Sequence, residues 1–315
     1  MRTPKQQLGV IDAPMLVGAR QEGAENGPQA IRAANLLARL CDLGQDPGRA
    51  FPCTVQDCGA VPMVMPGLDE MGHPKLKYAK PIVAYVNTLA QRVAAIIATD
   101  SIPITLGGNH CVGLGTVTGA ALAYRQQLGV LWVDAHADFN TSETSPSGNL
   151  HGMVLAAMAD VQTEDGLFDQ LLAPIGGIAQ KVLPSRMVIL GARSIDQDIS
   201  KEMDERRLLR QQGVHVFTMR DIDERGIKNV ILDAIHTATN NYTFPLHVSF
   251  DIDSVDPTAA PGTGTPEPGG LSVREARRVM ETICEQVFER GLLSSLDLVE
   301  VNPTLDHLSK TSKLA

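Results

Sequence analysis

Six side chains of this 315-residue chain have the types and the spacing of metal ligands. The string LWVDAHADFN runs an apolar strand directly into Asp134, His136 and Asp138, three hard or borderline ligands at alternate positions. HVSFDIDSVDP does the same with Asp251 and Asp253. Two carboxylates one residue apart point to the same side of a regular strand, so several negative charges crowd together unless a cation lies between them. His110, in LGGNH, completes a set of four carboxylates and two imidazoles. An oxygen-rich set suits Mn²⁺ rather than a closed structural zinc site, which uses thiolates, and no cysteine joins the cluster by spacing. Shared between two ions, with Asp134 and Asp251 as bridges, it suits a binuclear centre that lowers the pKa of a shared water. A lone Asp at a strand end is usually a turn or cap residue, and a lone His a satisfied polar group. The pairing of D-x-H-x-D with D-x-D argues against that blander account.

Such ligands need strands to carry them. Short β-branched apolar runs alternate with helical patterns along the whole chain, as in βαβ units around a parallel sheet. Eight runs read as strands: 8–11, 54–57, 102–106, 130–134, 187–191, 214–217, 246–251 and 293–299. Six stretches read as helices: 28–43, 82–98, 112–125, 202–211, 227–239 and 273–290. Pro28 suits the first turn of its helix and Gly44 the left-handed residue past its end. The expected fold is therefore α/β: one three-layer α/β/α domain over residues 1–315, with a mostly parallel sheet of about eight strands. In such sheets, ligands bind outside the carboxyl ends of the strands. His110, Asp134 with its neighbours, Asp251 with Asp253, and Glu300 all fall at or just past four of those ends. The Pro- and Gly-rich stretch 257–270 follows one of them and reads as a wall of the site.

Bulk composition narrows the partners. With 43% hydrophobic and 20% charged residues, the chain can bury a sizeable core. A formal net charge of -9 without any basic run lacks the electrostatic footprint of a nucleic-acid binder and favours a small-molecule partner. No apolar stretch is expected to reach the roughly 20 residues of a membrane span, and the N-terminus has no apolar signal region, so a cytoplasmic protein is expected. Five cysteines at irregular spacings read as reduced thiols.

GGNH, DAHADFN, SGNLHG, SFDIDSVDP, GTGTPEPGGLSVRE and EVNP, in this order and preceded by GAENGPQAIR, resemble the motifs of the arginase or ureohydrolase family from Gly9 to Lys310. The resemblance implies two Mn²⁺ per subunit. His110, Asp134, Asp138 and Asp251 would hold one, and Asp134, His136, Asp251 and Asp253 the other. It also implies hydrolysis of a guanidino substrate, with arginine giving ornithine and urea as the first expectation. Asn140, Ser145, Ser147 and Asn149, in FNTSETSPSGNLHG, match the arginase branch and would engage an α-carboxylate. His151 would shuttle a proton to the leaving amine, because imidazole titrates near neutrality. Glu300 would pair with the guanidinium through charge-assisted hydrogen bonds, with Thr265 adding a contact. Asp138 would orient the attacking oxygen.

Some positions depart from the family pattern. Asp196 stands where arginases approach the α-amino group, but Ile199 stands where a second acidic residue is expected. Asn109 replaces an Asp and Cys111 a Ser beside the first ligand histidine. The chain ends soon after EVNP, where the family usually adds a helix, so part of the sheet is expected to be open. A homotrimer or homohexamer is implied by resemblance alone. Three other accounts stay open: a ureohydrolase acting on agmatine, guanidinobutyrate or formiminoglutamate; a catalytically silent arginase-like subunit; and, more remotely, a deacetylase of related architecture.

Overall fold

The computed structural model describes residues 7–44, 53–63, 67, 70–172, 175–198, 200 and 202–315. Every expected strand is present: β1 (Gln7–Ala13), β2 (Thr54–Ala60), β3 (Ser101–Gly107), β4 (Gly129–Val133), β5 (Met187–Ala192), β6 (His215–Thr218), β7 (Leu246–Asp251) and β8 (Leu293–Val299). They pair in parallel in one eight-stranded sheet of order β2-β1-β3-β8-β7-β4-β5-β6. A two-stranded antiparallel ribbon, Gly72–His73 with Leu76–Lys77, stands apart from it.

Strand alternation builds the two faces. Val130 and Trp132 of β4, with Met187 and Ile189 of β5, enter one apolar core, whereas Leu131, Val133, Val188 and Leu190 enter the other. Helices α3 (Ala79–Ala98), α4 (Cys111–Ala123), α5 (Val154–Ala159), α6 (Leu167–Leu172) and α7 (Glu205–Gln212) border the first core. On the opposite face lie α1 (Gly27–Ala33), α2 (Leu36–Gly44), α8 (Met219–Arg225), α9 (Ile227–Thr239) and α10 (Val273–Ile283). The central strands are covered on both faces: β4, β5 and β7 are buried along their whole length, β4 and β5 as continuous apolar runs and β7 with His247, Ser249 and Asp251 among its buried residues.

Three helices depart from the sequence expectation for local reasons. The expected first helix, 28–43, is broken where Asn35 adopts the left-handed conformation (φ 72°), one that Asn tolerates better than most residues, and Gly44 closes α2 from within. Asp204 caps α7 by accepting from the Arg207 amide, so that helix starts at Glu205 and not at 202. Past Ile283, α10 gives way to a π turn, Cys284–Phe288. A short helix, α11 (Lys310–Leu314), lies at the end of the sequence. At 20 residues, α3 has the length and apolar character of a membrane span, contrary to expectation, but it packs against α4 and β3 and puts Ile82, Tyr85, Val86, Leu89 and Val93 into the core. All five cysteines are free thiols.

The strand order does most of the positioning. β3, β8, β7, β4 and β5 are consecutive neighbours, so the five chain segments that leave their carboxyl ends meet on one rim. Ile104, Leu296 and Leu298 of the central strands line an apolar cavity of about 740 Å³ between α2 and α10.

One buried charge in the first core is testable. Lys181 is fully buried, and its ammonium donates to the carbonyls of Ile178 (2.7 Å) and Ala179 (2.8 Å). Burial pushes its pKa down to about 8, with Asp160 pulling the other way. Between about pH 8 and its ordinary value of 10.5, the unfolded chain holds the extra proton, so stability rises with pH across that window. The unfolding free energy of the wild type, measured against Lys181→Met by denaturant titration, is expected to climb by roughly 3 kcal/mol over that interval. A difference that stays flat with pH would contradict it.

Candidate metal and active site

At the rim, His110 follows β3, Asp134, His136 and Asp138 follow β4, Asp251 and Asp253 end β7, and Glu300 follows β8. The loop after β4 is held in extended pairing: Asp134 N donates to Leu190 O, and Arg193 N and Ser194 N donate to Ala135 O. The carboxylates are aimed by their own neighbourhood. Asp134 Oδ1 accepts from His136 N (2.7 Å), Asp251 Oδ1 from Asp253 N (2.8 Å), and Asp253 Oδ1 from Ala135 N (3.2 Å). Their second oxygens converge on the two imidazoles.

His110 Nδ1 lies 3.1 Å from Asp134 Oδ2, 3.2 Å from Asp138 Oδ2 and 3.0 Å from Asp251 Oδ2. His136 Nδ1 lies 3.0 Å from Asp253 Oδ2 and 3.5 Å from Asp134 Oδ1. All six expected ligands are thus brought together. His110, Asp134 and Asp138 form one group able to hold a metal ion and Asp134, His136 and Asp253 another, with the ligand atoms of each within 4.8 Å of one another. His110 Nδ1 and Asp134 Oδ2 are buried without any hydrogen-bond partner. Buried polar atoms are rarely left so, and a cation between them would satisfy both. The donor set, oxygen-rich with two imidazoles and no thiolate, fits hard or borderline divalent ions.

Electrostatics carry the same message. Burial, reinforced by Asp253 and Asp134, pushes the Asp251 carboxyl well above its ordinary range, and burial with Asp134 raises Asp138 as well. Burial opposes a charge on His136, but Asp253 and Asp134 outweigh it and push its pKa up to about 12. Without further positive charge, the cluster must therefore hold protons to relieve its own repulsion.

Two of the rim residues have unusual backbones. Asp138 (φ 49°) and Glu300 (φ 62°) sit in the left-handed region, which costs a non-glycine residue roughly 1 kcal/mol or more. Hydrogen bonds compensate: Asp138 O accepts from Leu155 N (2.9 Å), and Glu300 N donates to Gly108 O (2.8 Å). Glu300 Oε1 accepts from His110 N (2.9 Å) and lies 3.4 Å from His151 Nδ1. Burial resists protonation of His151, yet Glu300 outweighs it and raises its pKa.

Beside the cluster opens a cavity of about 120 Å³ lined by His136, Asp138, Asn140, Ser145, Ser147, His151, Asp196 and Thr265, all expected from sequence. Asn149 does not line it; its backbone pairs with Lys77 of the ribbon. Asn140 Nδ2 donates to Asp196 Oδ2 (2.9 Å) and Thr265 Oγ1 to Asp253 Oδ2 (3.0 Å). Gly148 shapes the serine loop: it takes φ 71°, and a Cβ there would lie 2.0 Å from the Pro74 carbonyl oxygen. Arg193 fastens the 257–270 wall by donating to the Asp253 and Glu267 carbonyls, both at 2.7 Å.

Several groups escaped the sequence reading. Ile199 lies outside the described residues, but Glu205, the first residue of α7, supplies a second carboxylate beside Asp196 in the cavity lining. It accepts from Asp196 N (2.8 Å) and Phe139 N (2.9 Å), and burial pushes its pKa up to about 8 against those two bonds. The length of the intervening segment hid it. Trp132 stacks on His110 with ring centroids 3.8 Å apart and planes within 6°. Asn109 explains itself: its Nδ2 donates to Val17 O (2.9 Å), which an Asp cannot do.

Removing one crowded carboxylate should separate stability from binding. Asp251→Asn keeps the shape and the acceptor for Asp253 N while deleting a charge. The metal-free variant is expected to melt higher than metal-free wild type, by about 2 °C or more, and to lose the upward shift that Mn²⁺ gives the wild type. A lower metal-free melting temperature would refute the repulsion argument.

The whole molecule has clear relatives. Residues 6–315 match the arginase family model. The arginase of Bacillus subtilis (strain 168) is 39% identical over 311 residues, covering 98% of this chain and 94% of that protein. The solved arginase of Bacillus caldovelox superposes with a TM-score of 0.84 at 35% identity, covering 98% of this chain and 95% of that one. That of Entamoeba histolytica, in complex with L-ornithine, does so at 0.80 and 28%, covering 100% of this chain and 96% of that one. With its eight-stranded sheet, its Asp/His cluster and these likenesses over nearly its full length, the chain belongs to the arginase family, ureohydrolases that act on guanidino groups.

Proposed function

We propose that the protein hydrolyses L-arginine to L-ornithine and urea, with two Mn²⁺ held by His110, Asp134, His136, Asp138, Asp251 and Asp253. The observation that carries this reading is the polarity of one cavity. It is lined both by members of the Asp/His cluster and by the carboxylates of Asp196 and Glu205 and the neutral hydroxyls of Ser145 and Ser147. A ligand that carries a guanidinium, an ammonium and a carboxylate matches that set of groups. L-Ornithine, bound by the Entamoeba histolytica relative, carries the same amino-acid end.

When bound, the ions supply Lewis acidity and lower the pKa of water toward neutrality. The chain's own groups do the rest. Glu300, buried and tied to His110 N, places a carboxylate where the planar guanidinium arrives, and Thr265 adds a hydroxyl. Asp138 accepts a hydrogen bond from the attacking water and so orients it toward the guanidinium carbon. A C–O bond forms there, the C–N bond to the alkyl amine breaks, and the amine needs a proton. His151, half-buried and with its protonated form favoured by Glu300, delivers it and is recharged from the proton the water gave up. Ser145, Ser147 and the Asn140 amide, itself anchored on Asp196, receive the α-carboxylate by hydrogen bonding. Asp196 and Glu205 receive the α-ammonium, whose charge favours the ionised form of Glu205.

Urea release from arginine, agmatine and guanidinobutyrate, assayed in parallel with Mn²⁺, tests the substrate. Arginine should be preferred, and turnover of agmatine with none of arginine would transfer the protein to another ureohydrolase activity. Glu205→Gln should raise KM for arginine by about tenfold or more, the cost of a lost charged contact, while leaving guanidinobutyrate, which lacks the α-ammonium, little changed in relative terms. Equal effects on kcat with KM untouched would remove Glu205 from substrate recognition. His151→Ala should retain Mn²⁺ and lose about 10²- to 10⁴-fold in kcat; wild-type turnover across the pH range would exclude the shuttle.

A further inference from the structure

His110 has two ring nitrogens, and only Nδ1 faces the carboxylates. The other, Nε2, lies 2.8 Å from the Ser249 hydroxyl of β7. Ser249 Oγ in turn donates to Asp297 Oδ1, on the neighbouring strand β8. Asp297 is fully buried, and its second oxygen accepts from the Thr116 hydroxyl of α4 and lies 3.1 Å from Nε2 of His247. His247 is itself fixed through Nδ1, 2.8 Å from Ser295 Oγ. His110, Thr116, His247, Ser249, Ser295 and Asp297 are all essentially inaccessible to solvent.

The donors and acceptors in this chain can be ordered without ambiguity. A carboxylate only accepts, so the single hydrogen of Ser249 is committed to Asp297. The Ser249 oxygen is then left as an acceptor, and the hydrogen between it and His110 must come from the ring. Each Asp297 oxygen accepts from a hydroxyl, Ser249 on one and Thr116 on the other, as a carboxylate does, and although burial resists its charge, His247, His110 and the Ser249 hydroxyl hold the carboxyl below its ordinary pKa. A ring with its hydrogen on Nε2 has its lone pair on Nδ1, the form that can ligate a metal.

We propose that Asp297, which lines no part of the cavity, is a positioning residue for the metal site: acting through Ser249, it fixes the His110 hydrogen on Nε2 and leaves the Nδ1 lone pair facing Asp134, Asp138 and Asp251. Stacking on Trp132 fixes the plane of the ring, and the Ser249–Asp297 pair fixes its tautomer. Reversal is the hazard that Asp297 removes. If Ser249 were free to donate to Nε2, the ring hydrogen would move to Nδ1 and the nitrogen would meet a cation with its hydrogen foremost. This inference rests on the metal-holding role of the six ligands, and the test separates the two.

Mn²⁺ affinity is measured by calorimetric titration of the full chain as wild type, Ser249→Ala, Asp297→Asn and the double variant, with folding checked by circular dichroism. Each single variant should bind about 10- to 100-fold more weakly, as loss of an outer partner of a ligating histidine does. The double variant should be no weaker than the worse single, because both changes break one chain of bonds. At saturating Mn²⁺, kcat and KM of Ser249→Ala should return to within about threefold of wild type, which a general distortion of the site would not allow. Wild-type affinity in a folded single variant, losses that multiply in the double, or a kcat that stays low at saturation would each overturn the assignment. Should Asp297→Asn fail to fold, Ser249→Ala, which deletes one oxygen, decides by the same affinity and saturation criteria. A wild type that binds no Mn²⁺ would overturn the metal site itself and this role with it, whereas unchanged affinity in the variants overturns only the role of Asp297.

Discussion

Four carboxylates largely withdrawn from solvent have been brought within a few ångströms of one another, and the rest of the architecture answers to that constraint. Asp134, Asp138, Asp251 and Asp253 are all buried, so water screens their repulsion poorly. Positive charge in their midst is the physical remedy, and the lone imidazole nitrogen and the unpartnered Asp134 oxygen mark where it belongs. A single strand could not hold this concentration of charge. It is distributed over the ends of β3, β7 and β4, in a sheet whose all-parallel pairing sends those ends to the same rim. The apolar layers on both faces exclude water, which strengthens every interaction inside while making an uncompensated charge there untenable.

Around that centre the loops are fastened from their bases. The wall at 257–270 is clamped by the Arg193 guanidinium onto the end of β7, and Asp256 accepts from Gly269 N (2.9 Å) to close its neck. The serine-rich loop rests on the ribbon through the Lys77 to Gly148 bond (3.0 Å), and His151 N bonds back to Gly18 O (3.1 Å). The last two are backbone attachments, and the first two use the side chains of Arg193 and Asp256, which do not line the cavity. Preorganisation of this kind lowers the cost of ordering the site when substrate arrives.

How far the sequence could be read depended on whether the signal was local. The strands were legible because buried parallel strands are short runs rich in apolar, β-branched residues, and β7 and β8 fall at the bounds the sequence suggests. Helix ends were less legible, since neither the left-handed backbone of Asn35 nor the π turn at Cys284 interrupts the helical period of the sequence. The ligands were legible because D-x-H-x-D and D-x-D are strings whose charge repulsion can be inferred without coordinates. Glu205 was not, because it enters the cavity from the first turn of α7, beside Arg206 and Arg207, where a carboxylate looks like any solvated helix residue. Asp297 was equally silent: an acid within LSSLDLV reads as an outward position, and only the register of β8 against β7 turns it inward to Ser249.

The left-handed backbones of Asp138 and Glu300 bear on how such a protein evolves. Each is a place where glycine would relax the main chain and remove a buried acid, although at Glu300 it would also leave the His110 amide without its acceptor. A descendant freed from selection for turnover has most reason to discard Asp138, and its sheet, helices and loops would persist. Within this lineage, survival of the architecture is therefore poor testimony to activity, while retention of two awkward acids is good testimony.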